Sequence, residues 1–275
     1  MPSPSETLQQ FAAVVVTGGS SGIGKSFIRL AGTLKADLVI CNFSRRPPPE
    51  NIFPNAAKRL NHFYCDLSRP AEVARAAGEV IAFLGRAVPA GRILLINNSG
   101  IGAFGAFADQ PVARQLEVID VNVRALVQLT GLLLPLLSAR GGAIMNIAST
   151  VAFQPTPYAA TYGASKAFVL HWTLALNEEL RGTGVRAIAV CPGTTTTEFF
   201  RTAGLGDQAG ETRLSMTTDQ VAETALRALG AGRAQVVPGW VNKLYTFAGS
   251  KLRKSHAARI AAAMLTRYRP KKDAA

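Results

Sequence analysis

Val14-Val15-Val16-Thr17-Gly18-Gly19-Ser20-Ser21-Gly22-Ile23-Gly24 is the stretch that decides the fold. Three β-branched apolar residues in a row read as a buried strand. The glycine cluster follows at once. After it, Phe27, Ile28, Leu30, Ala31 and Leu34 recur at helical spacing. A strand, a glycine turn and a helix in immediate succession form the context of a dinucleotide site. Glycine permits the tight turn and close backbone approach. The start of the helix offers N–H groups and a positive dipole end to a pyrophosphate. Gly18, Ser20, Ser21, Gly22, Ile23 and Gly24 are therefore candidate nucleotide contacts. The spacing is G-x-x-x-G-x-G rather than G-x-G-x-x-G.

Outward from this unit, apolar runs alternate with helical patterns. Strands are predicted near residues 12–17, 37–43, 61–65, 91–98, 142–148, 185–191 and 234–238. Runs such as Ile93-Leu94-Leu95-Ile96 suit strands covered on both faces. The fold class is α/β: a doubly wound, Rossmann-like parallel sheet in three α/β/α layers, in one domain. Its 275 residues suffice for one large core. We divide the chain into a flexible tail (residues 1–10), a catalytic domain (residues 11–240) and a basic, helical C-terminal extension (residues 241–275). Long helices are expected at 111–138 and 156–181.

Tyr162-Gly163-Ala164-Ser165-Lys166 lies in the second of these helices. Residues four apart share a helix face. The Lys166 charge beneath the Tyr162 hydroxyl is expected to lower the phenol pKa and fit it for proton exchange near neutral pH. Ser149 stands thirteen positions earlier, at a strand end.

The T-G-x-x-x-G-x-G loop, a downstream Ser and Y-x-x-x-K together resemble the short-chain dehydrogenase/reductase family over roughly residues 10–240. Other stretches match in chain order: Asp66-Leu67, Asn97-Asn98-Ser99-Gly100 (Ser where the family keeps Ala), Asn122 in Val121-Asn122-Val123, and Pro192-Gly193 followed by Thr194 to Thr197. The resemblance implies hydride transfer between nicotinamide and a carbonyl or secondary alcohol. It implies that Ser149 bonds the carbonyl oxygen, that Tyr162 exchanges the proton and that Lys166 binds the nicotinamide ribose. Asn122 would hold a water relaying protons to Lys166. Asp66 and Leu67 would meet the adenine; Asn98, Ser99, Gly100, Pro192, Gly193, Thr195 and Thr197 would complete the nucleotide site.

Cofactor choice reads from the end of the second strand. No acid follows Leu38-Val39-Ile40-Cys41-Asn42-Phe43; Ser44-Arg45-Arg46 stands there instead. An acid at this place would hold a ribose 2′-OH, whereas guanidinium suits a 2′-phosphate. NADP(H) is expected over NAD(H), although Ser21 occupies a loop position where many NADP-using relatives carry a second basic residue. Phe153, Tyr158 and Phe199 are expected to line an apolar substrate pocket, fitting a hydrophobic ketone, a steroid-like compound or a 3-oxoacyl chain. Residues 198–216 read as a lid.

The three cysteines have no metal spacing, and the three histidines are too scattered to form a metal cluster. No metal is expected. The N-terminal residues lack a signal-peptide layout, and the most apolar stretch, 125–139, falls short of the ~20 residues needed to span a bilayer. A cytoplasmic protein is expected. Formal charge is +13, with Lys243, Lys251, Arg253, Lys254, Arg259, Arg267, Arg269, Lys271 and Lys272 near the end of the chain. This extension either lies on an anionic membrane surface or packs on the body; no nucleic-acid motif accompanies it. The long helices point to a homodimer or homotetramer, unless the extension covers their apolar faces. A nucleotide-binding regulator or membrane-associated protein that has kept the fold without turnover is the alternative function.

Overall fold

The structure, a computed structural model, describes residues 1–195 and 215–265. Seven parallel strands form one sheet in the order β3-β2-β1-β4-β5-β6-β7: β1 (Phe11–Thr17), β2 (Val39–Ser44), β3 (Leu60–Tyr64), β4 (Arg92–Asn97), β5 (Gly142–Ile147), β6 (Val185–Val190) and β7 (Gln235–Val236). The order reverses between β1 and β4, which places the crevice of a doubly wound sheet at their carboxyl ends.

Helices cover both faces because the strands are apolar on both. On one side, α2 (Gly22–Leu34) and α8 (Thr218–Gly230) bury Phe27, Ile28, Val221 and Leu226 against Val14, Val16, Leu94 and Ile96. On the other, α4 (Pro70–Ala87), α6 (Ala125–Arg140) and α7 (Ala160–Glu179) pack Val80, Leu84, Leu129, Leu133 and Leu176 against Val15, Leu95 and Ile144. A one-turn helix, α3 (Ala56–Arg59), leads into β3.

Three sequence expectations need correction. Residues 1–10 are not a loose tail: α1 (Pro4–Gln9) is a capped helix, with Ser3 Oγ accepting from Glu6 N and Ser3 N donating to Glu6 Oε2. Leu8 and Thr7 are buried, so docking on α8 and α2 orders the segment. The helix expected at 156–181 starts at residue 160, because Pro157 and the left-handed Tyr158 (φ 61°) hold the preceding backbone open. The apolar stretch 125–139, judged too short to span a bilayer, is part of the long helix expected at 111–138, which is found as α5 (Val112–Ile119), a π turn (Asp120–Arg124) and α6 in one run of 29 residues, long and apolar enough to cross a membrane. Its Leu129, Leu133 and Leu137 are buried in the core.

Helices α9 (Trp240–Lys251) and α10 (Lys254–Leu265) follow β7.

Candidate active site

The glycine loop leaves β1 at Thr17, whose hydroxyl accepts from the N–H groups of Asn98 and Ser99, both at 2.9 Å. Asn98 Nδ2 donates to Thr17 O at 2.9 Å and Gly18 O at 3.3 Å. The ends of β1 and β4 are thus tied together across the crevice. Gly18 has φ 69°, a conformation that side chains resist. At Gly24 a Cβ would lie 2.4 Å from Gly18 O and 2.5 Å from Asn98 Nδ2. That closeness brings the start of α2 onto the loop. Ser21, at the N-cap, makes no side-chain capping bond, so the first N–H groups of α2, around Gly22, Ile23 and Gly24, are not capped by it. This cradle of backbone N–H groups without side-chain bulk fits a pyrophosphate. Ser20 lies in the same loop, half-buried.

Asn42, which the sequence analysis passed over, organises the neighbouring corner. Its buried Oδ1 accepts from Gly19 N at 2.8 Å, and its Nδ2 donates to Ser44 Oγ at 2.7 Å and meets His62 Nδ1 at 3.1 Å. Ser44 Oγ donates in turn to Arg46 O at 2.5 Å. Ser44 is therefore buried in an internal network that shapes the loop. Arg45 and Arg46 are exposed beyond it. Asp66 Oδ1 accepts from Ser68 N at 3.0 Å and Ser68 Oγ at 2.7 Å. Burial acts to raise the Asp66 pKa, but these bonds and the cations Arg45 and Arg69 outweigh it, and the carboxyl is held below its usual value. Arg45 thus stands close to Asp66, with Leu67 buried beside it.

Ser149 follows β5 and caps a 3-10 turn (Thr150–Phe153), accepting from Val151 N at 3.3 Å. Its side chain also hydrogen-bonds Tyr162. Lys166 Nζ, one turn on along α7, donates to Ile147 O at 2.8 Å and stands 6.0 Å from the Tyr162 ring centre. Gly100 closes over this pair: a Cβ there would lie 3.0 Å from Lys166 Nζ and 3.4 Å from Asn122 Oδ1. Asn122 sits in the π turn, a device that recurs at functional sites. Its Oδ1 accepts from Ile101 N at 2.8 Å, while its Nδ2 donates to Ile101 O and Ser165 Oγ, both at 2.9 Å. Both side-chain N–H groups are committed to protein partners. A water bonded to this amide would have to use the second lone pair of Oδ1, on the side of Gly100 and Lys166.

The expected lowering of the Tyr162 pKa does not hold in the protein alone. Burial pushes the phenol up to about 12, and the Ser149 hydrogen bond offsets only part of that. Burial likewise pushes Lys166 down to about 8, against a smaller upward pull from Cys191. The cation that was expected to tune the phenol is itself costly to keep charged. For Lys166 the charged form is disfavoured on folding, so between its folded value near 8 and its ordinary 10.5 the unfolded chain binds more protons. Stability then rises with pH. The buried thiols Cys41, Cys65 and Cys191, raised from 9.0 to about 12, oppose this as the pH approaches and passes 9, because the folded chain then binds more protons than the unfolded one. Between pH 8 and 9 the two effects are of similar size, so the lysine's contribution is read as a difference. The stability of the parent relative to Lys166→Met, from urea midpoints, is expected to increase from pH 8 to 9 by on the order of 1 kcal/mol. A difference that shrank over this interval would contradict the assignment.

Pro192 O accepts from Thr150 N at 2.8 Å and Ser149 Oγ at 3.5 Å, so Pro192-Gly193 lies beside the Ser149 turn. Thr195 is buried, with Oγ1 on Gly193 O at 3.1 Å. Around Tyr162 gather Ala103, Val118 and Ala159, with Ile101, Phe104 and Val151 against them. The Phe104 and Tyr162 rings are 5.8 Å apart. Phe104 is an apolar wall residue that the sequence analysis missed, in the glycine-rich run Gly100-Ile101-Gly102-Ala103-Phe104-Gly105. Tyr158 joins this side through its carbonyl, which accepts from Gly105 N at 2.8 Å. Phe153, expected on the same wall, is half-buried and packs against the cluster that holds Leu126, Val169 and Val237. Thr197, Phe199 and nearly all of the expected lid lie outside the described residues. Among the described residues no cluster of His, Cys, Asp and Glu could hold a metal ion.

The signature of the short chain dehydrogenase family matches residues 12–207. Over 101 residues the chain is 44% identical to the ketoacyl reductase HetN of Nostoc sp. strain PCC 7120, a match spanning 36% of this chain and 35% of that protein. It is 32% identical over 212 residues to sulfoacetaldehyde reductase 2 of Chromohalobacter salexigens, covering 74% of this chain and 81% of the relative. A solved short-chain dehydrogenase from Sphingobium yanoikuyae, in complex with NADPH, superposes with a TM-score of 0.71 at 28% identity, covering 88% and 97% of the two chains. Sequence signature, strand order and crevice geometry agree: the chain belongs to the short-chain dehydrogenase family of oxidoreductases.

Proposed function

We propose that this protein is an NADP(H)-dependent carbonyl reductase, interconverting a hydrophobic ketone and its secondary alcohol. The observation that carries the reading is the triad at the crevice: the Ser149–Tyr162 hydrogen bond with Lys166 Nζ 6.0 Å from the phenol ring. A nicotinamide nucleotide, when bound, supplies or accepts the hydride. Gly18, Ser20, Ser21, Gly22, Ile23 and Gly24 would hold its pyrophosphate, and Asp66, Leu67, Asn98, Ser99, Gly100, Pro192, Gly193 and Thr195 would complete its site. Ser149 donates a hydrogen bond to the carbonyl oxygen. Tyr162 gives that oxygen a proton in reduction and takes it back in oxidation. A phenol held near 12 by burial is protonated at neutral pH, which suits the reductive direction. Lys166 binds the ribose, and Asn122 holds the 100–101 loop against α7 and orients a relay water through Oδ1.

The apolar residues around Tyr162, Phe104 and Ile101 among them, favour a hydrophobic substrate of ketone, steroid-like or 3-oxoacyl type. Tyr158 belongs to the same wall. Oxidation of NADPH, followed in absorbance against a panel of aliphatic, cyclic and aromatic ketones, tests the reaction. Tight NADPH binding with no oxidation by any ketone would instead favour a regulator without turnover.

For the 2′-phosphate we assign Arg45, with Arg46 beside it and Ser44 shaping their loop. Arg45→Asp should raise the KM for NADPH far more than that for NADH. Steady-state kinetics with both cofactors decide it, and equal changes would remove the assignment. Exposed Val112, Leu116 and Ile119 on α5, Leu132 on α6 and Phe168 on α7 support a homodimer through these helices.

A further inference from the structure

Helix α9 is turned the wrong way round for an ordinary surface helix. Its inner face is small and polar: Asn242, Thr246 and Gly249 lie on one side. Asn242 packs on Gly193 and Gly249 packs on Gln154, each so closely that a Cβ on the glycine would displace the facing side-chain amide. Gln154 also bonds the Tyr245 hydroxyl. The outer face carries the large apolar residues. Trp240, Leu244 and Phe247 are 76%, 63% and 62% exposed, and with Lys251 they form a single stripe at i, i+4, i+7 and i+11. Lys251 Nζ sits 5.8 Å from the centre of the Phe247 ring. Exposed Leu252 and Ile260 continue the apolar surface toward and along α10. Every formally charged side chain from Trp240 to Leu265 is basic: Lys243, Lys251, Arg253, Lys254 and Arg259.

We propose that the outer face of α9 and α10 docks on the surface of an anionic lipid bilayer. The charge decides the occupant. A second copy pairing through the same face would set these five cations against their own images, with no acid to answer them. A bilayer offers phosphate and apolar depth together. Trp, Phe and Leu enter the headgroup boundary, while the lysines lay their stems along the apolar stripe and keep their ammonium groups in the phosphate layer. The inward-facing Asn242, Thr246 and Gly249 fix the helix so that this stripe cannot turn into the core. The inference is independent of the hydride-transfer reading. The docked face adjoins the Ser149–Tyr158 segment, since Lys254 Nζ bonds Phe153 O at 2.8 Å.

Sedimentation of the full chain with vesicles tests it. The protein should pellet with phosphatidylglycerol/phosphatidylcholine vesicles and not with phosphatidylcholine alone, and added salt should release it. Each basic residue near the surface strengthens binding about fivefold, so the double variant Lys243→Gln/Lys251→Gln should weaken partition about 30-fold. Trp240→Ser/Phe247→Ser should weaken it too. Neutralising Lys58 and Arg86, exposed on other elements, should not weaken it comparably. Intrinsic Trp fluorescence of the unaltered chain, shifting to the blue with anionic vesicles, gives a readout that needs no variant. Absence of pelleting with anionic vesicles, or binding equal for neutral and anionic lipid, overturns the proposal. So does loss of a dimer in Trp240→Ser/Phe247→Ser without lipid, which would make this face a self-interface.

Discussion

Replacing Tyr162 by Phe is expected to lower kcat by about 10²–10⁴-fold, the usual contribution of a positioned general acid, while NADPH binding stays nearly unchanged. The substitution removes one oxygen and keeps the ring, which packs with Ala103, Val118 and Ala159 and faces Phe104. The wall should keep its shape. Ser149 loses one hydrogen-bond partner but retains Val151 N and Pro192 O. Lys166 retains Ile147 O, so its placement beneath the crevice survives. Fluorescence titration with NADPH, beside steady-state rates, separates binding from chemistry. A variant that turned over at most of the parent rate would move the proton donor elsewhere; Ser149 would be the next group to test.

Gly24→Val is expected to abolish measurable NADPH binding and to destabilise the fold. The new Cβ would meet Gly18 O at 2.4 Å and Asn98 Nδ2 at 2.5 Å, and neither can yield cheaply. Gly18 O belongs to the loop backbone, and Asn98 Nδ2 is the group that joins Thr17 O to the end of β4. Pushing α2 away from the loop disperses the N–H groups that would face a pyrophosphate. Overpacking of this kind costs about 1–3 kcal/mol of stability. Gly85→Ala is the matched control. That glycine lies within α4 with open space around it, so the added methyl should stabilise by about 0.5–1 kcal/mol. Calorimetric titration with NADPH and urea unfolding read both variants. If Gly24→Val bound NADPH as the parent does, the pyrophosphate would not rest on this turn.

The fold was legible because its signals are local. Each strand is a short apolar run, and each expected strand lies within two residues of an observed one. The glycine turn announces a strand–helix junction by itself. The N-terminal helix was legible too and was overlooked: Ser3-Pro4-Ser5-Glu6 is a capping box written in the sequence.

What the sequence by itself determined is which chemical groups exist and the order in which strands and turns present them: the glycine loop, Ser149, Tyr162 and Lys166, and the Arg45-Arg46 pair after β2. Only the tertiary structure decided what those groups feel. Helical spacing places Lys166 under Tyr162, but the sign of each pKa shift follows from burial, which is set by β5, the 100–101 loop and the turn at Asn122. Asn42 became part of the site because parallel pairing of β2 with β1 and β3 brings Gly19, Ser44 and His62 to one amide. The outward turn of Trp240, Leu244 and Phe247 was equally invisible, since a helix's apolar stripe has no direction until its neighbours choose a face. Covalent order and local periodicity act over a few residues. Solvation and electrostatics depend on every chain segment that comes near, and those segments meet only in the folded molecule.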